Sequence, residues 1–298
     1  MADWSNLMND IATSRYIVVD GIRTHYWDAG DGLPIVLLHA GGYGENAWNS
    51  WHRNIGQLAL AGRRVIAPDW LGFGKTDKLR DFAKGNARMV EHMTRFFSVM
   101  GLDDRQLYPD GVDVVGLSMG GTFLVKAMAT TEPDPFPVRR MVLVSGGGYS
   151  PLNDARTILQ EYDGSFEQMR LQLQQVIHAP LWEDDEFVRL YHEASLEPGQ
   201  WEFVSAPRLR APFAARGGDF GNVDDTPYER VSVPTLLTAG AQDKLREPGY
   251  AFGIRDKIPD CEVMVFNPCG HCPNVERADE WNALVADFLD DPPTVGAA

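Results

Sequence analysis

One short glycine-rich segment contains the residue best suited to act as a nucleophile. Residues 116–121 read Gly-Leu-Ser-Met-Gly-Gly, and they stand between an apolar run at 112–115 and an apolar helical pattern. A serine at such a strand-to-helix turn presents its hydroxyl to a site above the sheet, and the helix N-terminus behind it favours developing negative charge. We therefore predict that Ser118 attacks a carbonyl carbon.

A serine nucleophile needs a base and a group that orients the base. In enzymes with this kind of turn, the serine, the acid and the histidine follow one another along the chain. Of the histidines after Ser118, His178 and His192 fall in helical patterns, whereas His271 follows a strand-like run. Asp243 also closely follows such a run. Order and placement together predict a catalytic triad of Ser118, Asp243 and His271.

The oxyanion of a tetrahedral intermediate needs two backbone N–H donors. The residue after the nucleophile, Met119, is expected to supply one of them. The second is expected from the loop after an early apolar run, where residues 39–42 read His-Ala-Gly-Gly. We predict Gly41 as this donor, with Gly42 as the next choice.

Two other motifs suggest different chemistry but lack the context it needs. Residues 269–272 read Cys-Gly-His-Cys, as in disulfide oxidoreductases, but they do not follow an early strand. Residues 72–76 resemble the end of a phosphate-binding loop, but Asp69 stands where its first glycine is required. A zinc site would want a second pair of ligands, and the sequence has no other cysteine pair. We expect no metal ion and no organic cofactor.

Short apolar runs that alternate with helical patterns predict the framework around these residues. The runs lie at residues 34–38, 65–67, 112–115, 141–144, 235–238 and 263–266. The clearest helical patterns between and after them lie at residues 86–100, 120–130 and 278–289. Such alternation predicts βα units with right-handed crossovers and a mostly parallel sheet flanked by helices. A hairpin that turns at Asp20-Gly21 precedes them.

The alternation stops between residues 146 and 222, where only helical patterns remain. We predict that residues 146–222 form a helical lid inserted into an α/β core made of residues 1–145 and 223–298. Four large side chains of this segment are candidates for the apolar lining of a substrate site: Trp182, Phe187, Tyr191 and Trp201.

Composition narrows the function. The 298 residues carry 27 basic and 42 acidic side chains, a net charge of −15 that disfavours nucleic acid and anionic lipid as partners. No run approaches the roughly 18 apolar residues of a membrane span, and no secretory pattern opens the chain. Three cysteines suggest no disulfide framework. We expect a cytoplasmic protein that acts on a small molecule, either alone or as a homodimer or larger homo-oligomer.

Together the motifs resemble those of α/β-hydrolases, and more narrowly those of meta-cleavage product hydrolases, which cleave carbon–carbon bonds in aromatic catabolism. The resemblance runs from about Tyr16 to the last helical pattern. The residues that are more specific to the meta-cleavage product hydrolases are Asn86-Ala87-Arg88 and Gly146-Gly147. It implies the α/β-hydrolase fold and hydrolysis of a vinylogous diketone produced by ring cleavage.

Three positions depart from the pattern of that family. Leu117 replaces an asparagine before the nucleophile, Val275 replaces a tryptophan after the histidine, and Tyr191 stands where a lid arginine grips the dienoate carboxylate. Arg189 lies near that last position, so the resemblance implies substrate contacts at Tyr191, Arg189 and Val275. A carboxylesterase or lactonase acting on a small ester is the alternative, and a small-molecule binding protein is the non-enzyme alternative. Ser118 argues against dehalogenases and epoxide hydrolases, which use an aspartate nucleophile.

Overall fold

A computed structural model describes residues 11–208 and 220–290. Within these ranges, eight strands form one sheet in the order β1-β2-β4-β3-β5-β6-β7-β8. Strands β3 to β8 run parallel to one another, and the β1–β2 hairpin adds antiparallel to β4. The strands are β1 Thr13–Val19, β2 Ile22–Ala29, β3 Leu33–Leu38, β4 Arg63–Pro68, β5 Val112–Leu117, β6 Val138–Val144, β7 Thr235–Gly240 and β8 Cys261–Phe266.

Helices connect the parallel strands and cover both faces of the sheet. Those of the α/β alternation are α1 Ala47–Trp51, α2 Ile55–Leu60, α3 Asn86–Val99, α4 Met119–Thr130, α9 Tyr250–Arg255, α10 Pro273–Glu276 and α11 Ala278–Asp290. Those between β6 and β7 are α5 Asp154–Gln160, α6 Phe166–Val176, α7 Asp185–Ser195 and α8 Gln200–Ser205. Three short 3₁₀ segments accompany them, at Pro180–Glu183, Ala206–Arg208 and Tyr228–Arg230.

The apolar runs became strands because both of their faces are covered. Every residue of β5 is buried, and its neighbours β3 and β6 are buried almost throughout. Such strands need no polar face, which is why they read as continuous apolar runs instead of alternating ones. The prediction of an α/β-hydrolase fold with a mostly parallel sheet is confirmed.

One carboxylate lies inside this sheet. Asp113 on β5 is fully buried and accepts hydrogen bonds from Arg63 Nη1 at 3.0 Å and from Arg139 Nη2 at 2.7 Å. Burial raises the pKa of Asp113, and the two guanidinium groups oppose that rise. The carboxylate therefore ties β4, β5 and β6 together where the strands start.

The helices between β6 and β7 pack on the carboxyl ends of the strands. Tyr191 Oη donates to the Asn49 carbonyl oxygen at 3.0 Å, and Asn49 Nδ2 donates to the Leu190 carbonyl oxygen at 3.2 Å. The Phe203 ring on α8 meets the Phe73 ring edge-on at 5.5 Å between centroids. Residues 209–219 of the predicted lid, and residues 1–10 and 291–298 of the predicted core, lie outside the described residues.

Candidate active site

Ser118 occupies a strained turn between β5 and α4. Its φ of +51° lies in the left-handed region that most side chains avoid. The turn closes because Gly116 and Gly121 touch backbone to backbone; a Cβ on Gly116 would lie 2.5 Å from the Gly121 backbone. The glycines of the motif thus allow the sharp turn that exposes Ser118 Oγ to the cavity above the sheet.

The structure brings Ser118, His271 and Asp243 into one hydrogen-bonded chain. His271 Nε2 lies 2.8 Å from Ser118 Oγ, and His271 Nδ1 lies 2.7 Å from Asp243 Oδ2. Burial alone would raise the pKa of Asp243, but the His271 ring, the Leu245 N–H, which donates to Asp243 Oδ1 at 2.8 Å, and the charge of Arg246 outweigh it and lower that pKa. Asp243 is therefore ionised and holds the His271 ring with Nε2 toward the serine.

Glu276 fixes the loop that carries His271, a role the sequence analysis did not give it. One carboxylate oxygen accepts from Gly270 N at 2.9 Å, and the other accepts from His178 N and Ala179 N, both at 2.8 Å. His271 N itself donates to the Val176 carbonyl oxygen at 2.7 Å. The loop that carries His271 is thus bonded to the last residue of α6 and to the segment that follows it.

Gly41, Gly42 and Met119 all line the cavity beside Ser118. A Cβ on Gly41 would lie 2.5 Å from Met119 Sδ and 3.1 Å from Met119 Cβ, so the loop approaches the turn closely. The loop is anchored from behind, because Ser50 Oγ accepts from Ala40 N at 3.3 Å. The backbone segments predicted to supply the two oxyanion donors therefore lie next to each other.

The segment that resembles a phosphate-binding loop is filled by a side chain. Asp69 Oδ2 accepts from Lys75 N at 2.8 Å and lies 2.7 Å from His25 Nδ1. A Cβ on Gly74 would lie 2.2 Å from that same carboxylate oxygen. Asp69 thus occupies the space that a phosphate would need.

A cavity of about 910 Å³ opens above Ser118 and His271. Its walls come from the carboxyl ends of the strands and from the helices between β6 and β7. Its polar lining includes three charged side chains to which the sequence analysis gave no role: Glu45, Arg156 and Arg246. Burial raises the pKa of Glu45 to about 7, and the Ser50 hydroxyl, which donates to its Oε2 at 2.7 Å, opposes that rise.

Of the six predicted substrate contacts, Tyr191 lines the cavity, whereas the other five are not among its lining residues in the described chain. On α7, Phe187 and Tyr191 point inward, and Arg189 falls on the exposed face because adjacent helical residues are rotated by about 100°. Trp201 is 43% exposed on the outer side of α8.

The remaining two residues are held by packing elsewhere. Trp182, half-buried in a 3₁₀ segment, packs against the apolar cluster beside the cavity. Val275 is 1% exposed within that cluster, since the short helix α10 turns it toward the core. None of the five lines the described cavity, and their roles as substrate contacts stay predictions.

Cys269 and Cys272 are both free and buried beside His271. Burial raises the pKa of both thiols, and nearby carboxylates raise them further. Both side chains are therefore neutral thiols and not reactive thiolates.

A sequence profile of the alpha/beta hydrolase fold matches residues 34–278. The chain is 31% identical to 2-hydroxymuconate semialdehyde hydrolase of Pseudomonas sp. (strain CF600), over 94% of this chain and 95% of that protein. It is 32% identical to 2-hydroxy-6-oxo-2,4-heptadienoate hydrolase of Pseudomonas putida, over 92% and 95%. The meta-cleavage product hydrolase of Pseudomonas fluorescens IP01 superposes with a TM-score of 0.78 at 28% identity, covering 95% of this chain and 98% of that one.

The chain therefore belongs to the α/β-hydrolase family, in the branch of the meta-cleavage product hydrolases. The resemblance inferred from the motifs is confirmed, and so is the prediction of a hydrolase. Within the described ranges, no helix combines the length and the apolar character needed to cross a bilayer.

Proposed function

We propose that this enzyme hydrolyses a carbon–carbon bond in a ring-cleavage product, a vinylogous diketone, with Ser118 as nucleophile, His271 as base and Asp243 as the orienting acid. The observation that carries the proposal is the unbroken chain of short contacts from Asp243 through His271 to Ser118 Oγ at the floor of the cavity. The names of the relatives supply the substrate class.

In the proposed reaction Ser118 Oγ attacks the ketone carbon while His271 Nε2 takes the hydroxyl proton. The N–H groups of Met119 and Gly41 stabilise the oxyanion. When the C–C bond breaks, its electron pair passes to the leaving group, which must be able to hold it. Ketonisation of the dienol beforehand provides a second carbonyl for this purpose. His271 then returns the proton it took from Ser118 to the leaving carbon, which completes the leaving group and leaves the imidazole neutral. Water, activated by His271, releases the acyl group from Ser118.

Residues 146–222 act in this proposal as a lid that excludes water from the site. The contact of Phe203 with Phe73 and the presence of Tyr191, Met169 and Leu173 in the cavity wall support it. The three cysteines, all free, support a reducing compartment such as the cytoplasm as the place of action.

A substrate panel tests the proposal: dienol ketones from ring cleavage, matched aryl esters and lactones, each with wild type and Ser118→Ala. We expect kcat/KM to be highest for a dienol ketone and to fall by about 10³-fold or more in the variant. A phosphonate probe should label Ser118 in the wild type.

Preference for an ester or lactone by more than tenfold would replace the C–C assignment with esterase or lactonase activity. Failure of the probe to label the wild type, together with turnover of none of the three classes, would favour a binding protein.

A further inference from the structure

Two buried guanidinium groups line the cavity, and neither forms an ion pair with a carboxylate of the described residues. Arg156 on α5 is 8% exposed and Arg246, three residues after Asp243, is 6% exposed. Both line the same cavity as Ser118 and His271. Buried charges are normally paired, because taking an unpaired ion out of water costs several kcal/mol. Two buried guanidinium groups that lack an ion-pair partner beside Ser118 therefore need an explanation.

The contacts of Arg156 are all to neutral groups. Its Nη2 donates to the Leu245 carbonyl oxygen at 3.2 Å, and its Cζ lies 4.4 Å from the centre of the Phe220 ring. Its Nε is buried and has no hydrogen-bond partner. Burial and the charge of Arg246 lower the pKa of Arg156 to about 10, while the Asp243 carboxylate opposes that fall without a direct contact, and the group is still protonated at neutral pH.

Arg246 is held in place by a carbonyl and a hydroxyl. Its Nε and Nη2 donate to the Ser145 carbonyl oxygen at 3.1 and 2.7 Å, and its Nη1 donates to Ser150 Oγ at 2.9 Å. These hydrogen bonds fix the orientation of the Arg246 guanidinium group at the carboxyl end of β6. They do not neutralise its charge.

Two carboxylates of this part of the molecule, Asp243 and Asp224, already have other hydrogen-bond partners. Asp243 is engaged by His271 and the Leu245 N–H, and Asp224 accepts from Thr226 Oγ1 at 2.6 Å and Tyr228 Oη at 2.7 Å. Among the described residues, neither arginine has an ion pair with a carboxylate. The two like charges would be stabilised by one anion that both can contact.

The cavity wall around Tyr191 carries an acidic side chain instead of basic ones. Glu45 lines the cavity there and raises the pKa of Tyr191, after burial itself. A carboxylate placed beside Tyr191 would meet a second acidic group, whereas one placed beside Arg156 would meet two cations.

We propose that Arg156 and Arg246 bind a carboxylate of the substrate and thereby set the orientation of the substrate over Ser118. The inference deepens the proposed function and rests on it. The carboxylate could belong to the leaving group or to the acyl group, and the experiment separates these two sources.

The first test compares kcat/KM for matched esters. In 4-acetoxybenzoate the carboxylate is on the leaving group, in phenyl hydrogen succinate it is on the acyl group, and the methyl ester of each is the neutral match. We expect one of the two acids to exceed its methyl ester by at least about tenfold in wild type, and Arg156→Gln to remove about 10- to 100-fold from that acid alone. Arg246→Lys should weaken the same preference, and Arg189→Gln should leave it unchanged.

The second test needs no turnover. Calorimetric titration of Ser118→Ala with benzoate and with succinate, against benzamide and succinamide, should show binding of at least one acid that Arg156→Gln abolishes. Anion binding without any C–C hydrolysis would refute the proposed function and keep this inference.

Three results would overturn the inference. The first is an acid preference that survives both Arg156→Gln and Arg246→Lys, and the second is one that disappears in Arg189→Gln instead. The third is an equal loss for acid and methyl ester together with a lower unfolding temperature of Arg156→Gln, which would show that the arginine only supports the fold.

Discussion

Replacing Glu45 with glutamine should make the stability of the protein less sensitive to pH. Glu45 accepts a hydrogen bond from Ser50 Oγ, and a glutamine amide oxygen can accept the same bond. The substitution therefore keeps the link from Glu45 through Ser50 to Ala40 N, behind the oxyanion loop, and removes only the titrating proton.

The sign and size of this effect on the free energy of unfolding follow from the pKa of Glu45, which burial raises from 4.5 to about 7. Because the folded pKa lies above the unfolded one, the contribution of Glu45 to stability is fully present below about pH 4.5. It is lost as the pH rises through about 7. Between pH 5.5 and 8.5 the wild type should lose about 2 kcal/mol that the variant retains. The neighbouring Tyr191 and Cys272 have raised pKa values, so Glu45 is the group of this wall that changes charge near neutrality.

Urea unfolding of wild type and Glu45→Gln at half-unit steps over this pH range measures the difference directly. Other titrating groups cancel in the comparison, since they are common to both proteins. Glu262→Gln, which removes an exposed carboxylate, is the matched control and should give a constant difference. A Glu45→Gln difference that stays constant within about 0.3 kcal/mol would refute a buried, titrating Glu45.

Three further perturbations test the site and the core. Asp243→Asn should keep the fold but lower kcat by about 10³- to 10⁴-fold, because an amide no longer fixes the His271 tautomer; steady-state kinetics with circular dichroism as a folding control checks this. Asp113→Ala should destabilise the protein by about 3–5 kcal/mol in urea unfolding, since Arg139 would be left beside an empty buried position. Cys272→Ala should change turnover only mildly, and a rate that rises or falls reversibly with dithiothreitol would contradict two independent buried thiols.

The fold was predictable because its determinants are local. A continuous apolar run such as that of β5 needs both faces covered wherever it lies, and the βα alternation then limits the topology. The grouping of Ser118, Asp243 and His271 was predictable for a related reason. A serine between close-packed glycines can adopt a turn that few other sequences allow, and chain order then points to Asp243 and His271.

The cavity wall was not predictable in the same way, because it depends on how helices rotate against the core. In α7 the sequence offers Arg189 and Tyr191 two positions apart, and only packing on Asn49 decides that Tyr191 turns inward. Nothing in the amino-acid sequence marked Arg156 or Glu45 as part of the cavity wall. A charged residue is unusual only when it is buried and unpaired, and that property belongs to the assembled structure.

The departures from the family pattern have different consequences once they are placed in the fold. Leu117 and Val275 are each 1% exposed and belong to the same apolar cluster, so both pack in the core beside the site. Tyr191 does reach the cavity, and there it stands next to Glu45 where the resemblance implied a cation. Tyr191 supplies no positive charge on this wall, whereas the buried guanidinium groups of Arg156 and Arg246 line the same cavity. In the proposed binding mode, Arg156 and Arg246 determine which end of the substrate lies on which side of Ser118.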